Sequence, residues 1–256
     1  MNNLTIRVIN QNIDNFTSHE VVSLAEECIR YKKKLSIATI NPEIMVRSAH
    51  SKELSEILSK FTLRLVDGIG ISLLTRITGV GVFKERIQGV NLVQKLIKIS
   101  VKKNYRIMFL GASAPSANAA HQKLTAKYPK LKLKCLSGGQ IDPRKLTAPI
   151  LTEIRRFKPD ILVVALGAPK QEELIIRYQL DLGVPVAIGA GGTVDFFAGV
   201  ARRAPRLIQN IGLEWLWRLL LYPRRWRRIF NAVIIFPALF LRWRLSNWSK
   251  YSSRPS

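Results

Sequence analysis

The sequence contains few of the residues from which metal sites and disulfide frameworks are built. Only two of its 256 residues are cysteine and three are histidine. Cys28 and Cys135 lie far apart, without the spacing of a zinc site, a redox pair or a disulfide framework. No Asp-x-Asp motif, which would hold a metal ion against a diphosphate, occurs either. These absences favour a reducing, cytosolic compartment and chemistry that needs no metal cofactor.

Two nucleotide-binding fingerprints and long apolar runs are also missing. The lack of GxGxxG and of a P-loop disfavours dinucleotide oxidoreduction and ATP hydrolysis. The start, MNNLTIRVINQNID, does not have the basic residues and apolar run of a secretory signal. No stretch reaches the roughly 20 unbroken apolar residues of a membrane-spanning helix. The nearest, FNAVIIFPALFL at 230–241, is short and is expected to be interrupted at Pro237.

Acidic residues are scarce, with 17 Asp and Glu against 41 Lys and Arg, which gives a formal charge of +24. Any partner is therefore expected to be anionic: nucleic acid, nucleotide phosphates or an acidic lipid surface. Residues 202–256 contain eleven arginines and one lysine against a single acid, Glu214. We expect a core of residues 1–200 and a basic, aromatic appendage of residues 201–256.

Short apolar runs rich in β-branched residues alternate with longer helical patterns up to about residue 200, which predicts an α/β fold with a mainly parallel sheet. The predicted strands are LSIATI (35–40), YRIMFLG (105–111), LKLKCL (131–136), DILVVALG (160–167) and VPVAIGAGG (184–192). The segment NFTSHEVVSLAEECI predicts an amphipathic helix that opens with a capping box formed by Thr17 and Glu20.

Three predicted strands end in glycine turns: FLGAS at Gly111, ALGAPKQE at Gly167 and IGAGGTVDF from Gly189. In an open parallel sheet, ligands bind beyond the carboxyl ends of the strands, where glycines let backbone amides approach phosphates. One such turn alone is as readily an ordinary strand-to-helix connection. Three together predict a ligand crevice, with Gly111 among its candidate binding residues.

At two further points in the sequence, polar residues lie at the end of a short apolar run. In LRLVDGIGI, Asp67 follows the run 63–66 and could act as a general base, or it could only cap the helix that begins near Ile69. In ATINPEIM, Thr39 and Asn41 lie at the end of a predicted strand, where a substrate is expected to bind. Alternatively, Thr39 could only pack against its neighbours, and Asn41 could only cap the helix that Pro42 opens.

The segment VFKERIQGVNL places Arg86 before another amphipathic helix. An arginine near a phosphate crevice can bind a diphosphate through two hydrogen bonds. The residues alone favour a solvated basic loop over such a binding role.

Taken together, these segments resemble the WecG/TagA/CpsF family of bacterial glycosyltransferases. The resemblance runs from about Ile6 to Phe230, and it rests on NID-NFT, TINPEI, VDGIGI, KERIQGVNL, FLGAS, PDILVVALGAPKQE, IGAGGTVDFFAG, RRAPRLIQNIGLEWLWRL and PRRW, in this order. Family members transfer an N-acetylmannosamine-type sugar from UDP to a polyprenyl-diphosphate-linked acceptor. The resemblance implies an inverting, metal-independent enzyme with a Rossmann-like sheet flanked by helices and no cofactor beyond the UDP-sugar co-substrate.

The resemblance also implies roles for individual residues. Asp67 becomes the catalytic base, in place of the helix cap that its residue type alone favours. The residues implied in substrate binding are Thr39, Asn41, Arg86, Gln171, Gly191, Gly192, Asp195 and, from the tail, Arg218. Two features depart from the family. Asn91 stands where the family usually has an acid, and the tail continues past the usual end, where it could deepen membrane contact or cover the core.

The stretch LEWLWRLLLYPRRWRRIF at 213–230 leaves a nucleic-acid-binding tail, a membrane-surface helix and a cover for the core as alternatives. On a helical wheel, Trp215, Leu219, Tyr222, Trp226, Ile229 and Phe230 share one side, and Arg218, Arg224, Arg225 and Arg228 share the other. This separation favours an anionic membrane surface over nucleic acid, although Pro223 is expected to kink or divide the helix.

We therefore expect an enzyme peripherally bound to the inner face of the cell membrane, in an oligomeric state that the sequence leaves open. A non-catalytic nucleotide-sugar-binding protein is the other alternative. It would keep the glycine turns without needing Asp67.

Overall fold

A computed structural model describes residues 4–139, 141–201, 204–205, 208, 213–223 and 226–247, without the side chain of Arg218. The strands in these residues are β1 Thr5–Val8, β2 Gln11–Asp14, β3 Leu35–Ile40, β4 Leu63–Val66, β5 Arg106–Gly111, β6 Lys132–Leu136, β7 Ile161–Ala165 and β8 Val186–Gly189. The helices up to residue 200 are α1 Ser18–Arg30, α2 Pro42–His50, α3 Lys52–Ser59, α4 Ile69–Ile77, α5 Gly89–Lys103, α6 Ala114–Lys127, α7 Ala148–Phe157, α8 Lys170–Tyr178 and α9 Thr193–Ala198. They are followed by α10 Glu214–Leu221, α11 Trp226–Phe230, a π-helical turn Asn231–Ile235 and α12 Phe236–Ser246.

The strands form one sheet in the order β1-β2-β4-β3-β8-β7-β5-β6, which is parallel except for the β1–β2 pair. Successive residues of the buried strands face opposite sides. Ile37 belongs to the core cluster that contains α1, α5 and α6 residues, and Ala38 belongs to the cluster that contains α2, α3 and α8 residues. Helices therefore cover both faces, and the predicted α/β class is confirmed.

The five predicted strands are confirmed with small differences at their ends, as is the capping box of Thr17 and Glu20 on α1. The hairpin of β1 and β2 was not predicted. Each of its strands is only four residues long, and polar residues such as Gln11 occupy buried positions. β1 alternates buried Ile6 and Val8 with exposed residues, but over four residues only, whereas β2 buries Gln11 and Asp14 and lacks the apolar alternation by which strands are recognised.

Pro237 interrupts the apolar run at 230–241 in the sequence, but it does not end the helix that contains the run. The helix runs continuously over Trp226–Ser246, and the π-helical turn lies just before the proline. Proline interrupts the regular hydrogen-bond ladder, and a wider π turn is one of the irregularities that accommodates such a break.

One face of this helix covers the core. Phe236, Phe240 and Arg244 are buried against α2 and α4, and the Arg244 Nε donates to the Thr78 carbonyl at 3.2 Å. Among the described residues, Trp226–Ser246 is the helix that by length and composition could cross a bilayer, with 17% of its most apolar window buried. Length and composition alone do not separate a spanning helix from a core helix.

The expectation that Pro223 kinks or divides the 213–230 segment is confirmed, because α10 ends at Leu221 and α11 begins at Trp226. Ile229 lines a cavity, whereas Trp226 and Phe230, placed on the same side of the wheel, are 56% and 47% exposed. A single wheel assumes one unbroken helix, so it holds only approximately across Pro223.

Candidate active site

A cavity of about 420 Å³ opens at the carboxyl ends of β3 and β4 and is closed by the C-terminal helices. Its polar side chains are Asn41, Glu43, Asp67, Arg86, Gln88, Glu214 and Arg228. Its apolar wall comes from α4 and the C-terminal helix, with Leu73, Leu74, Ile229, Ala232, Val233 and Pro237. One part of the cavity is therefore polar and charged and another part is apolar. Such a cavity suits a ligand that has both polar and apolar groups.

Asp67 reaches this cavity because Ile40 of β3 and Val66 of β4 are register partners. The Asp67 N–H donates to the Ile40 carbonyl at 2.8 Å, and the Asp67 Oδ2 accepts from the Gly89 N–H, at the start of α5, at 3.3 Å. The N-cap of α4 is Gly68, with no side-chain cap bond. The interpretation of Asp67 as the cap of α4 is therefore wrong, and its carboxylate faces the N-terminus of α5 instead.

Gly68 explains why the segments VDG and NPE meet so closely. A Cβ atom at Gly68 would lie 2.2 Å from the Cδ of Pro42, which is far shorter than any van der Waals contact. The absence of a side chain lets α2 and α4 begin side by side. Both helices can then contribute to the wall of one cavity.

Asn41 lines the cavity and also caps α2, because its side chain accepts from the Ile44 N–H at 3.0 Å. The cap interpretation of Asn41 is confirmed, and it does not exclude a contact with substrate. Thr39 is buried, and its hydroxyl donates to the Gly189 carbonyl of β8 at 3.1 Å. This hydrogen bond links the end of β3, beside the cavity, to the end of β8, where the glycine turn begins.

Arg86 also lines the cavity, and the segment that carries it is anchored rather than a loose solvated loop. The Glu85 carboxylate accepts from the backbone N–H and the hydroxyl of Ser18, both at 2.7 Å, at the start of α1. The Ile87 N–H donates to the Val66 carbonyl at 2.8 Å. Residues on both sides of Arg86 are thus fixed to the fold, which limits where its guanidinium can reach.

Arg228, one of the arginines on the charged side of the 213–230 wheel, lines the cavity as well. Its Nε donates to the Glu43 Oε2 at 2.7 Å, and Glu43 also pairs with Arg47 at 3.1 Å. Arg47 in turn donates to the Ala168 carbonyl at 2.7 Å. This chain connects the C-terminal helix to the turn after β7. Arg228 and Glu43 are 185 residues apart, so no local pattern could have revealed the pair.

The other predicted residues lie outside the cavity lining, near the ends of β5, β7 and β8. Gly111 ends β5 at a φ of +130°, and a Cβ there would meet the Ala165 carbonyl oxygen at 2.5 Å, so its backbone position alone requires glycine. Gly191 and Gly192 form the turn after β8, and Asp195 lies in the first turn of α9.

Gln171 is buried on α8, and its Nε2 donates to the Glu172 Oε1 at 2.8 Å. The Glu172 carboxyl is fully buried, and burial raises its pKa to about 7 despite the Gln171 hydrogen bond and the charge of Arg47. The structure therefore brings Asn41, Asp67 and Arg86 together in one cavity and places Gln171 in an adjoining buried polar cluster.

Comparison with known proteins assigns the chain that forms this site to a family. A model of the glycosyl transferase WecG/TagA/CpsF family matches residues 6–250. The chain belongs to this family. It is a glycosyltransferase, and the match continues beyond Phe230. The expectation that the tail passes the family's usual end is therefore wrong.

Related WecG/TagA/CpsF proteins carry the name N-acetylglucosaminyldiphosphoundecaprenol N-acetyl-beta-D-mannosaminyltransferase. The relative from Bacillus subtilis (strain 168) is 33% identical over 88% of this chain and 85% of its own length. The relative from Bacillus spizizenii is 30% identical over 87% and 84%, and the relative from Staphylococcus aureus (strain NCTC 8325) is 28% identical over 89% and 88%. The family match over residues 6–250 covers the sheet, the cavity and the C-terminal helices.

Two further predictions concern this family member. The Arg218 side chain lies outside the described residues, so its predicted role stays a prediction. In the part of the chain that the structure describes, no group of three or more His, Cys, Asp or Glu is placed to hold a metal ion. The metal-free reaction also stays a prediction.

Proposed function

We propose that this glycosyltransferase moves an N-acetylmannosamine-type sugar from UDP to a polyprenyl-diphosphate-linked sugar acceptor, with inversion and without a metal cofactor. The observation that carries the proposal is the cavity in which Asp67, Arg86 and Arg228 face an apolar wall from α4 and the C-terminal helix. The names of the relatives support both the transferred sugar and a lipid-diphosphate acceptor.

In this mechanism Asp67 is the general base. Its carboxylate takes the proton of the acceptor hydroxyl while that oxygen attacks the anomeric carbon, and UDP leaves from the opposite face. Attack and departure on opposite faces invert the anomeric centre. The position of Asp67 at a strand end, inside a cavity large enough for a sugar, supports this role.

The departing diphosphate accumulates negative charge, and positive groups near it stabilise the transition state. Arg86 and Arg228 supply such charge at the cavity, and both are held by their neighbours rather than loosely solvated. We propose that the donor also contacts Thr39, Gln171 and the turn of Gly191 and Gly192, which adjoin the polar side of the cavity. Gly111, Asp195 and Arg218 are retained as proposed substrate-binding residues.

The apolar wall is proposed to receive the first isoprene units of the acceptor. The same helix also carries exposed apolar side chains, including Phe230, Ile234 and Leu241, and exposed Arg227 and Arg242 flank them in the sequence. An exposed apolar surface flanked by arginines suits an anionic bilayer, because the apolar side chains can enter the acyl boundary while the arginines lie among the headgroups. We infer that residues 201–256 act as a docking appendage at the cytoplasmic leaflet.

The test of the proposed base is Asp67→Asn, which keeps the size of the side chain and removes its basicity. We expect UDP-sugar binding, measured by calorimetry, to be unchanged and transfer to a synthetic lipid-diphosphate acceptor to fall at least ~100-fold. Asp181→Asn, in the connection between α8 and β8, serves as the matched control with normal transfer. Near-normal transfer by Asp67→Asn would favour a non-catalytic role for this residue. Transfer by the wild type in excess EDTA checks the metal-free part of the proposal.

A further inference from the structure

Three polar side chains form a hydrogen-bonded chain across the rim of the cavity. The Asn91 Nδ2 donates to the Gln88 Oε1 at 2.8 Å, and the Gln88 Nε2 donates to the Glu214 Oε2 at 2.9 Å. Gln88 is the N-cap of α5, Asn91 lies in the first turn of that helix, and Glu214 is the first residue of α10. The chain therefore joins the sheet-bound core to the C-terminal appendage.

The chemistry of these groups determines which of them donates and which accepts each hydrogen bond. A carboxylate can only accept hydrogen bonds, so Glu214 requires Gln88 to present its NH2 group. The carbonyl oxygen of the same amide then faces Asn91, which must supply a donor. An aspartate at position 91 has no proton to give and would leave Gln88 between two carboxylates. The charge of Glu214 thus favours a hydrogen-bond donor at position 91, although Gln88 and Glu214 are 126 residues apart.

We propose that Asn91, Gln88 and Glu214 form a latch that holds α10 against the start of α5 and positions the appendage wall of the cavity. Gln88 and Glu214 both line the cavity, and Trp215, the next residue of α10, lines it too. The latch deepens the proposed function, because a wall held in place presents a fixed surface to the acceptor. In that reaction all three are positioning residues.

The decisive variant is Asn91→Asp, which is nearly the same size and reverses the polarity of one end of the latch. An acid in the first turn of a helix normally stabilises that helix, so any loosening cannot be attributed to α5 itself. In Glu214→Gln the new amide oxygen can still accept from Gln88. In the double variant the whole chain can reverse, with Gln88 donating to the new carboxylate at position 91 and accepting from the new amide at position 214.

Hydrogen exchange followed by mass spectrometry measures the latch without any substrate. We expect Asn91→Asp to speed exchange across 214–221 about tenfold, as the loss of a hydrogen bond to a charged group would. Glu214→Gln and the double variant are expected to stay within about twofold of the wild type. Asn118→Asp, on the exposed side of α6, adds the same charge as a control and is expected to leave 214–221 unchanged.

Steady-state kinetics give the functional reading. The KM for the acceptor is expected to rise about tenfold in Asn91→Asp with donor binding unchanged, and to recover in the double variant. Unchanged exchange in Asn91→Asp, or a double variant as loose as Asn91→Asp, would overturn the latch. If the wild type transfers no sugar to any lipid-diphosphate acceptor, the proposed function fails, while the exchange data still decide on the latch.

Discussion

Glu172 shows how one buried carboxyl group affects the whole fold. Burial raises its pKa from 4.5 to about 7, so the folded state binds this proton more tightly than the unfolded chain does. The stabilisation from that proton is fully present below pH 4.5 and is lost as the pH rises to about 7. The free energy of unfolding therefore decreases across this window.

Replacing Glu172 by Gln should remove this pH dependence while keeping an oxygen to accept from Gln171. We expect wild type to lose up to about 3 kcal/mol relative to Glu172→Gln between pH 4.5 and pH 8. Urea denaturation at several pH values measures the difference. Glu56→Gln, at an exposed position on α3, is the control and should follow the wild type. Parallel curves for wild type and Glu172→Gln would show that the carboxyl is ionised in the folded state.

Single residues also show what could be predicted from the sequence. The caps made by Thr17 and Asn41 could be predicted, because each bond spans three residues and depends on local backbone geometry. For Asp67 the same reasoning wrongly favoured a helix cap, because the partner of its carboxylate, Gly89, lies 22 residues away. Arg228 and Glu214 could not be assigned to the cavity, because their partners Glu43 and Gln88 come from distant segments.

At the scale of elements, buried parallel strands such as β3 and β7 were predictable because every residue in them is buried and apolar or small. In the C-terminal helices, the division at Pro223 was predictable from the proline, whereas the continuous helix over Pro237 was not. Pro237 follows a π-helical turn, and the helix that carries it packs against α2 and α4. These contacts come from distant segments, so no local pattern reveals them.

The attachment of α11 to α2 can be measured through the ion pair of Arg228 and Glu43. Glu43 is only 13% exposed and pairs with both Arg228 and Arg47. We expect a double-mutant cycle of Glu43→Gln and Arg228→Gln to give a coupling free energy of about 1 kcal/mol, since Arg228 is half exposed. The pair of Lys52 and Glu56 on α3, at 4.0 Å and well exposed, is the control and should show no measurable coupling. Equal values for the two pairs would mean that α11 is held by apolar contacts alone.

For the whole molecule, the proposed docking at a membrane can be examined through its charge of +24 and its C-terminal helix. The C-terminal helix cannot cross the membrane while Phe236, Phe240 and Arg244 remain buried in the core. Its outer face presents Trp226, Phe230, Ile234, Leu241 and Leu245 to solvent. A helix packed on one side and apolar on the other is suited to lie in the interface, with its arginines among anionic headgroups.

This arrangement predicts binding that depends on both charge and apolar contact. We expect co-sedimentation with anionic vesicles, little with neutral vesicles, and release at about 1 M salt, where the Debye length is about 3 Å. Phe230→Ser should weaken binding severalfold, whereas Leu180→Ser, an equally apolar change at an exposed site after α8, should not. Alkaline carbonate should extract the native protein from cell membranes. Retention in the pellet after carbonate treatment would instead mean that Trp226–Ser246 leaves the core and spans the bilayer, because only an inserted helix resists removal of all surface charge interactions.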